Sequence, residues 1–350
     1  MKAVKWLFYG FMAILPLLLV ISPIWAYYSF DNIYLATGQG LIVLFIVLPI
    51  IDELTKGLKI NNEYLSKHPL LLLLPALVLP LLVILIGWGL IQVYALYQQQ
   101  LYMPALLLTI SIGVVNGSFG INAAHELLHR RQSWCQTTAG VMLSLCGYGG
   151  FKIEHVFGHH KDLATDNDPS SAAKGDMLLP FFIKAMVLNQ LKAFKLQAKF
   201  KNKLQFGGQE YYLWQGLFGL CLLLSFVYAG WLGLAYFIVQ SVFAIFMLEV
   251  VNYIEHYGLR RNKRNQKSYE AVQYHHCWNC SNWLTNYVLF QLPRHSDHHV
   301  HANKPFYELK DHPQAPQLPF GYATLVVFAL IPPLWFYVMN PRLERYVNNA

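Results

Sequence analysis

The stretch LYMPALLLTISIGVVNGSFGINAAHELLH, residues 101–129, decides the fold class. Its first part, 101–124, has no charged residue. That is long enough to cross a bilayer as a helix, which takes about 20 mostly apolar residues. The last five residues, His125-Glu126-Leu127-Leu128-His129, continue the helix into the polar phase. Imidazoles four residues apart share one helical face, where both can bind one metal ion. A spanning helix that ends in such a pair predicts an all-α integral membrane protein with a metal site at the membrane surface.

Working outward, five further segments are apolar and long enough to span: 5–28, 36–52, 69–97, 212–230 and 231–252. The first begins at Lys2 and Lys5 like a signal peptide, but its apolar stretch is too long and Ile24-Trp25-Ala26 makes a poor cleavage site. It is expected to be a retained helix. Pro75 and Pro80 in the third are tolerable in a packed membrane helix. The composition agrees: 55% of the 350 residues are hydrophobic and 13% charged, against about 25% charged in soluble domains. The five cysteines have no disulfide-framework spacing.

The net charge of +8 is topological. With a cytoplasmic N-terminus and six crossings, all 26 Lys and Arg residues fall in the N-terminus, 53–68, 125–211 and 253–350. The outer connections around 29–35, 98–100 and 230 hold none, as the positive-inside rule requires. Both termini are therefore expected in the cytoplasm, and nucleic acid is not an expected partner. The apolar stretch 320–339, with Pro332-Pro333, is expected to lie against the bundle or in the interface, and the Gly-rich 137–150 to form a buried loop or half-helix. One domain, 1–350, follows: six helices under a cytoplasmic cap of 125–211 and 253–350.

Of the 14 histidines, 13 follow residue 124. Beside His125 and His129 stand Glu154-His155-Val156-Phe157-Gly158-His159-His160, Glu255-His256, and Arg294-His295-Ser296-Asp297-His298-His299. On an ordinary α-helix His155 and His159 share a face, and His160 diverges by about 100°. Nine clustered imidazoles exceed the needs of one ion and fit two. Imidazole suits iron, copper, zinc and nickel alike. Glu126, Glu154, Glu255, Asp166, Asp168 and Asp297 are candidate acceptors for the outward-facing imidazole N–H groups. The isolated His68, His301 and His312 read as solvated or structurally satisfied. Cys277-Trp278-Asn279-Cys280, beside His275 and His276, has redox spacing but lacks the strand–helix setting of such motifs. The basic run from Lys184 to Lys203 reads as a membrane-hugging helix or a docking face for an acidic electron carrier.

These elements resemble the integral-membrane alkane 1-monooxygenases (alkane hydroxylases), within the fatty-acid desaturase/hydroxylase superfamily. The resemblance rests on the three histidine boxes, on Asn252-Tyr253-x-Glu255-His256-Tyr257-Gly258-Leu259, and on the tail Pro316-Gln317-Leu318-Pro319 with Pro332-Pro333-Leu334-Trp335. It is strong over about 100–345. Arg130, where Lys is usual, and Pro293, where Gln is commoner, are small departures that remove no ligand. The resemblance implies a non-haem di-iron centre on His125, His129, His155, His159, His160, His256, His295, His298 and His299. It also implies O2 as co-substrate, terminal hydroxylation of n-alkanes entering from the membrane lipid, rubredoxin and its reductase as electron source, and a bacterial inner-membrane location. The chain has no flavin, haem or dinucleotide motif, so electrons must come from outside it.

The rival readings are a fatty-acyl desaturase or hydroxylase, or a xylene-type monooxygenase of the same superfamily. His-Glu-x-x-His alone would suit a zinc protease, but it leaves seven clustered histidines unexplained. A metal transporter would need ionisable residues at mid-membrane depth, where the predicted helices are apolar.

Overall fold

The computed structural model describes residues 2–56, 58, 69–265 and 268–349, with the side chains of 2–13, 69–70 and 349 excepted. Most of the predicted 53–68 loop, with Lys59, Lys67 and His68, lies outside the described residues. Helix α1 is Lys2–Ser29 and α2 is Ile33–Leu54. Helix α3 (Leu73–Gln98) and helix α4 (Tyr102–Leu128) follow. The cap then supplies α5 (Ser133–Leu145), α6 (151–162) and α7 (Leu178–Phe200). Helix α8 is Glu210–His256. After it come a short hairpin (β1, Lys263–Asn265; β2, Ser268–Tyr269) and helices α9 (Trp283–Val288), α10 (His295–Val300), α11 (Tyr322–Ala329) and α12 (Pro332–Asn349).

The 47 residues of α8 would make a rod of about 70 Å, more than twice the roughly 30 Å hydrocarbon core. The chain bends double instead. Gly230 takes φ +59°, a left-handed conformation that suits glycine, and Ala229 is also non-helical. Phe218 and Phe237, 19 residues apart, consequently meet with ring centroids 5.9 Å apart. The two arms match the predicted segments 212–230 and 231–252, and the other predicted spans fall on α1 to α4, with 69–97 beginning four residues before α3.

Helix α4 packs against the second arm of α8 at the closest approach small residues allow. A Cβ on Gly113 would sit 2.5 Å from the Gln240 carbonyl oxygen, and one on Gly117 2.4 Å from that of Ala244. This Gly-x-x-x-Gly spacing, a known means of bringing membrane helices together, aligns the two helices that end in His125 and His256.

Polar ties fasten the cap to the bundle. At the end of α2 the buried Asp52 carboxylate accepts the Thr285 N–H (2.8 Å), the Asn282 amide (3.1 Å) and the Thr285 hydroxyl. Asp52 thereby fixes the start of α9. Glu249, near the end of α8, accepts from Tyr148 (2.7 Å), Asn189 (3.2 Å) and Asn252 (3.1 Å). The 320–339 stretch breaks into α11 and the start of α12 and packs on the bundle, as expected. Residues 137–150 take the half-helix alternative: 137–145 belong to α5, which buries Ala139, Met142 and Leu143, and 146–150 turn.

Candidate metal centre

The local backbone sorts the histidines. In α6 the segment His155–His159 is π-helical. Its wider turn brings residues five apart onto one face, so His155 aligns with His160 and His159 points elsewhere. This overturns the expectation that His155 and His159 share a face, which assumed ordinary α-helical turns. Nitrogens of His125, His129, His155, His160 and His298 converge in one group, and those of His159, His256, His295 and His299 in a second. Within each group the donor atoms all lie within 4.8 Å of one another. His125 and His129 stay together as their spacing predicts. In α10, His295 and His299 join one group and His298 the other.

The donor nitrogens face inward. In the first group His155 Nε2 is 3.1 Å from His129 Nε2 and 3.0 Å from His160 Nε2. In the second, His295 Nε2 lies 3.2 Å from His256 Nε2 and 2.8 Å from His299 Nε2. Donors at right angles around an ion, at metal–nitrogen distances of about 2.1 Å, lie roughly 3 Å apart. A neutral imidazole carries one N–H, so three converging Nε2 atoms cannot satisfy one another by hydrogen bonding. The residues fit two metal ions, one per group.

Electrostatics favours the same use. Burial, aided by the neighbouring imidazoles, holds His155, His160, His295, His298 and His299 well below their ordinary pKa. They are neutral at physiological pH, with lone pairs free for a cation. His159 departs in the other direction. Burial opposes its charge, but the Asp168 carboxylate outweighs burial and raises it.

Of the six acids expected to receive outward N–H groups, Asp168 alone does so: its Oδ2 is 3.0 Å from His159 Nδ1. Glu154 pairs with Lys192 (3.1 Å), and burial pushes it up to about 7. Glu126 lies 3.5 Å from Arg130 and accepts the Phe306 N–H at 3.3 Å. Asp297 gathers Lys304 (2.6 Å), His301 (3.1 Å), His312 (3.2 Å) and the Lys310 N–H (2.7 Å), and so closes the 301–312 loop over α10. Asp166 is exposed. Glu255 does touch a histidine, but on the wrong side for the expected role: its Oε2 is 3.2 Å from His295 Nε2, the inward nitrogen. These corrections share one cause. Proximity in sequence does not say which ring nitrogen an acid meets.

Glu270, His275 and His276 form a third, smaller cluster. His276 Nδ1 accepts the Gln273 N–H at 3.0 Å, so its proton sits on Nε2, 3.2 Å from Glu270. That pattern braces the loop and leaves no lone pair toward the cluster. Cys277 and Cys280 are buried and free. Burial raises both thiols, Cys280 to about 12, far from the thiolate needed for redox chemistry. The motif acts as a strap: the Trp278 N–H donates to the Glu255 carbonyl (2.9 Å) and its indole to the Tyr257 carbonyl (2.9 Å).

Beneath the histidines lies a largely apolar cavity. Leu44, Phe45 and Leu48 of α2 and Met247, Leu248 and Val251 of α8 line it, together with His125, His155 and His295. Sequence reasoning missed the acids Asp52 and Glu249. An ionisable residue within an apolar span was the signal that could have found them.

Residues 100–329 match the fatty acid desaturase family model. The chain is 39% identical over 315 residues to alkane 1-monooxygenase 1 of Pseudomonas aeruginosa, covering 87% of this chain and 82% of that protein. It is 36% identical to alkane 1-monooxygenase of Acinetobacter baylyi, covering 88% and 77%. It is also 28% identical to the xylene/toluene monooxygenase hydroxylase component XylM of Pseudomonas putida, covering 68% and 64%. With four apolar helices long enough to cross a membrane and two converging histidine groups in that setting, the chain belongs to the alkane 1-monooxygenase family, within the fatty acid desaturases.

Proposed function

We propose that this protein is a di-iron monooxygenase of the bacterial inner membrane that hydroxylates the terminal carbon of n-alkanes to 1-alkanols. The observation that carries this reading is the largely apolar cavity that has His125, His155 and His295 in its lining. An alkane dissolved in the bilayer gains about 0.8 kcal/mol per buried methylene whether in lipid or in such a cavity. It therefore moves from one to the other with no desolvation cost. A chain lying end-on in it, with the terminal methyl nearest the histidines, fits the aliphatic lining. Positioning of that kind is what terminal attack requires, because internal C–H bonds are weaker.

Iron bound by the two histidine groups would supply the activation of dioxygen. The protein's own residues do the rest. Aliphatic side chains of α2, α8 and α9 exclude water from the reacting carbon. Asp168 holds His159 with its proton on Nδ1, so that Nε2 faces the metal position. Electrons would come from a rubredoxin reduced by its reductase, docking on the basic cap, where Lys184, Lys195 and Lys199 of α7 are exposed. Cytoplasmic termini follow from the distribution of Lys and Arg.

The test is metal analysis of detergent-purified protein together with product identification from octane or dodecane, O2, rubredoxin and reductase. Two irons per chain and a 1-alkanol are expected. Exclusively internal alcohols would defeat the end-on reading. A double bond or an acyl-bound hydroxyl from acyl-lipid substrates, with no alkanol, would move the protein to the desaturase side of the family.

A further inference from the structure

We infer that the Glu255 carboxylate is a metal ligand, completing the four-histidine group with a fifth donor. The inference rests on the metal-centre reading above and deepens it. Glu255 Oε2 is 3.2 Å from His295 Nε2, and that nitrogen lies 3.2 Å from His256 Nε2 and 2.8 Å from His299 Nε2. The carboxylate oxygen thus meets the inward nitrogen of His295 at the roughly 3 Å spacing which that nitrogen has to His256 and His299.

Two features fix it there. The Tyr322 hydroxyl donates to Oε1 at 2.8 Å, which leaves Oε2 for the histidine side. The Trp278 N–H donates to the Glu255 backbone carbonyl at 2.9 Å, which anchors the last turn of α8. Glu255 is 1% exposed, and among the described residues its sole ion-pair contact is His295. No Lys or Arg balances it. Buried carboxylates are paired, protonated or bound to a metal, and the inward position selects the last.

The donor sets then become five imidazoles in one group, and four imidazoles with one carboxylate in the other. A carboxylate among imidazoles is a donor mixture that suits non-haem iron. It would also bring one negative charge to a centre of two divalent ions otherwise held by neutral ligands. The two ions are consequently inequivalent, and the carboxylate-bound one carries less net charge.

The experiment uses the full chain in lipid nanodiscs, loaded with iron-57 and reduced, as wild type, Glu255→Gln, Glu255→Asp and Tyr322→Phe. Mössbauer spectra and iron retention against a graded chelator are read for each. Wild type should give two quadrupole doublets of equal area. In Glu255→Gln one doublet should change and the other hold, with one iron released at a chelator activity at least tenfold lower. Glu255→Asp restores a carboxylate and should bring the altered doublet back toward wild type. Tyr322→Phe should perturb that same doublet while keeping both irons. If Glu255→Gln keeps both doublets and both affinities, the inference is overturned. Should that variant fail to fold, an unchanged doublet in Tyr322→Phe overturns it equally. Wild-type protein that holds no iron, or one zinc, instead removes the metal centre itself, and this inference with it.

Discussion

Replacing Asp168 with asparagine removes one charge and almost no volume, so it isolates the control of a single histidine. In the native site Asp168 Oδ2 receives His159 Nδ1–H at 3.0 Å and the Ser171 hydroxyl at 2.5 Å, while Oδ1 receives the Ser170 N–H at 3.2 Å. Both oxygens act as acceptors. Asparagine offers one. If its oxygen keeps the Oδ2 position, its amide N–H2 points at the Ser170 N–H and two donors face each other. If it turns over, an N–H2 faces His159, which must then move its proton to Nε2 and lose its lone pair toward the metal. The first outcome leaves a buried donor unpaired, which costs about 1–3 kcal/mol; the second removes a ligand. Changes at acceptors of this kind typically lower metal affinity 10- to 100-fold, or about 1.4–2.7 kcal/mol. Iron occupancy against a buffered chelator should fall by that factor for one of the two ions. Alkanol formation should fall in proportion to the occupancy lost. The variant's helical content should be unchanged, because no volume is altered. Wild-type affinity for both irons in Asp168→Asn would refute the argument that Asp168 sets the His159 tautomer.

Three further outcomes are expected. Phe45→Ala should move the preferred alkane toward longer chains, each further buried methylene adding up to about 0.8 kcal/mol, or roughly fourfold in kcat/KM; competition among C8 to C16 alkanes reads this, and an unchanged preference would separate Phe45 from the substrate path. Gly117→Ala places a methyl 2.4 Å from the Ala244 carbonyl oxygen and must push α4 off α8, a cost of about 1–3 kcal/mol that should lower both the thermal midpoint and iron occupancy at the His125 group. Burial lowers the His276 imidazole to about 4, aided by His275, against about 6.5 in the unfolded chain. The unfolded chain therefore takes the proton first, and stability should fall as pH drops from about 6.5 to about 4; His276→Gln should flatten the fall in thermal midpoint over that window, and an unaltered slope would contradict the assignment.

What was legible in the sequence was whatever depends on near neighbours. The spans were readable because each is a continuous apolar run, and the turn at 230 because the Lys/Arg count required one. The nine histidines were readable because each cluster is local. Their division between the two groups was not, and the reason is specific. The i, i+4 rule holds for an α-helix, but His155–His159 is π-helical, which sends His160, rather than His159, to join His155. No single residue in Glu154-His155-Val156-Phe157-Gly158-His159-His160 announces a wider turn. The Gly113/Gly117 contact was legible in principle, as small residues four apart, but its partner carbonyls on α8 were not.

The acids show the same limit more sharply, and they explain why the site needs the whole fold. Of six acids chosen for standing near histidines in sequence, Asp168 alone meets an outward nitrogen, and it does so across nine residues of chain that turn back on themselves. Glu255 adjoins His256 in sequence, yet its contact is with His295, 40 positions away and on another helix. Asp297 sits between two ligand histidines and bonds to neither; it serves the loop above them. A carboxylate's role in such a centre is decided by which of two ring nitrogens it faces, a distinction of about 2 Å. That is smaller than the roughly 3.8 Å between consecutive Cα atoms, so no spacing rule can resolve it. Packing can. Tyr322 from α11, Trp278 from the strap and the Asp52 clamp on α9 arrive from distant parts of the chain and together set where Glu255, His256 and His295 stand.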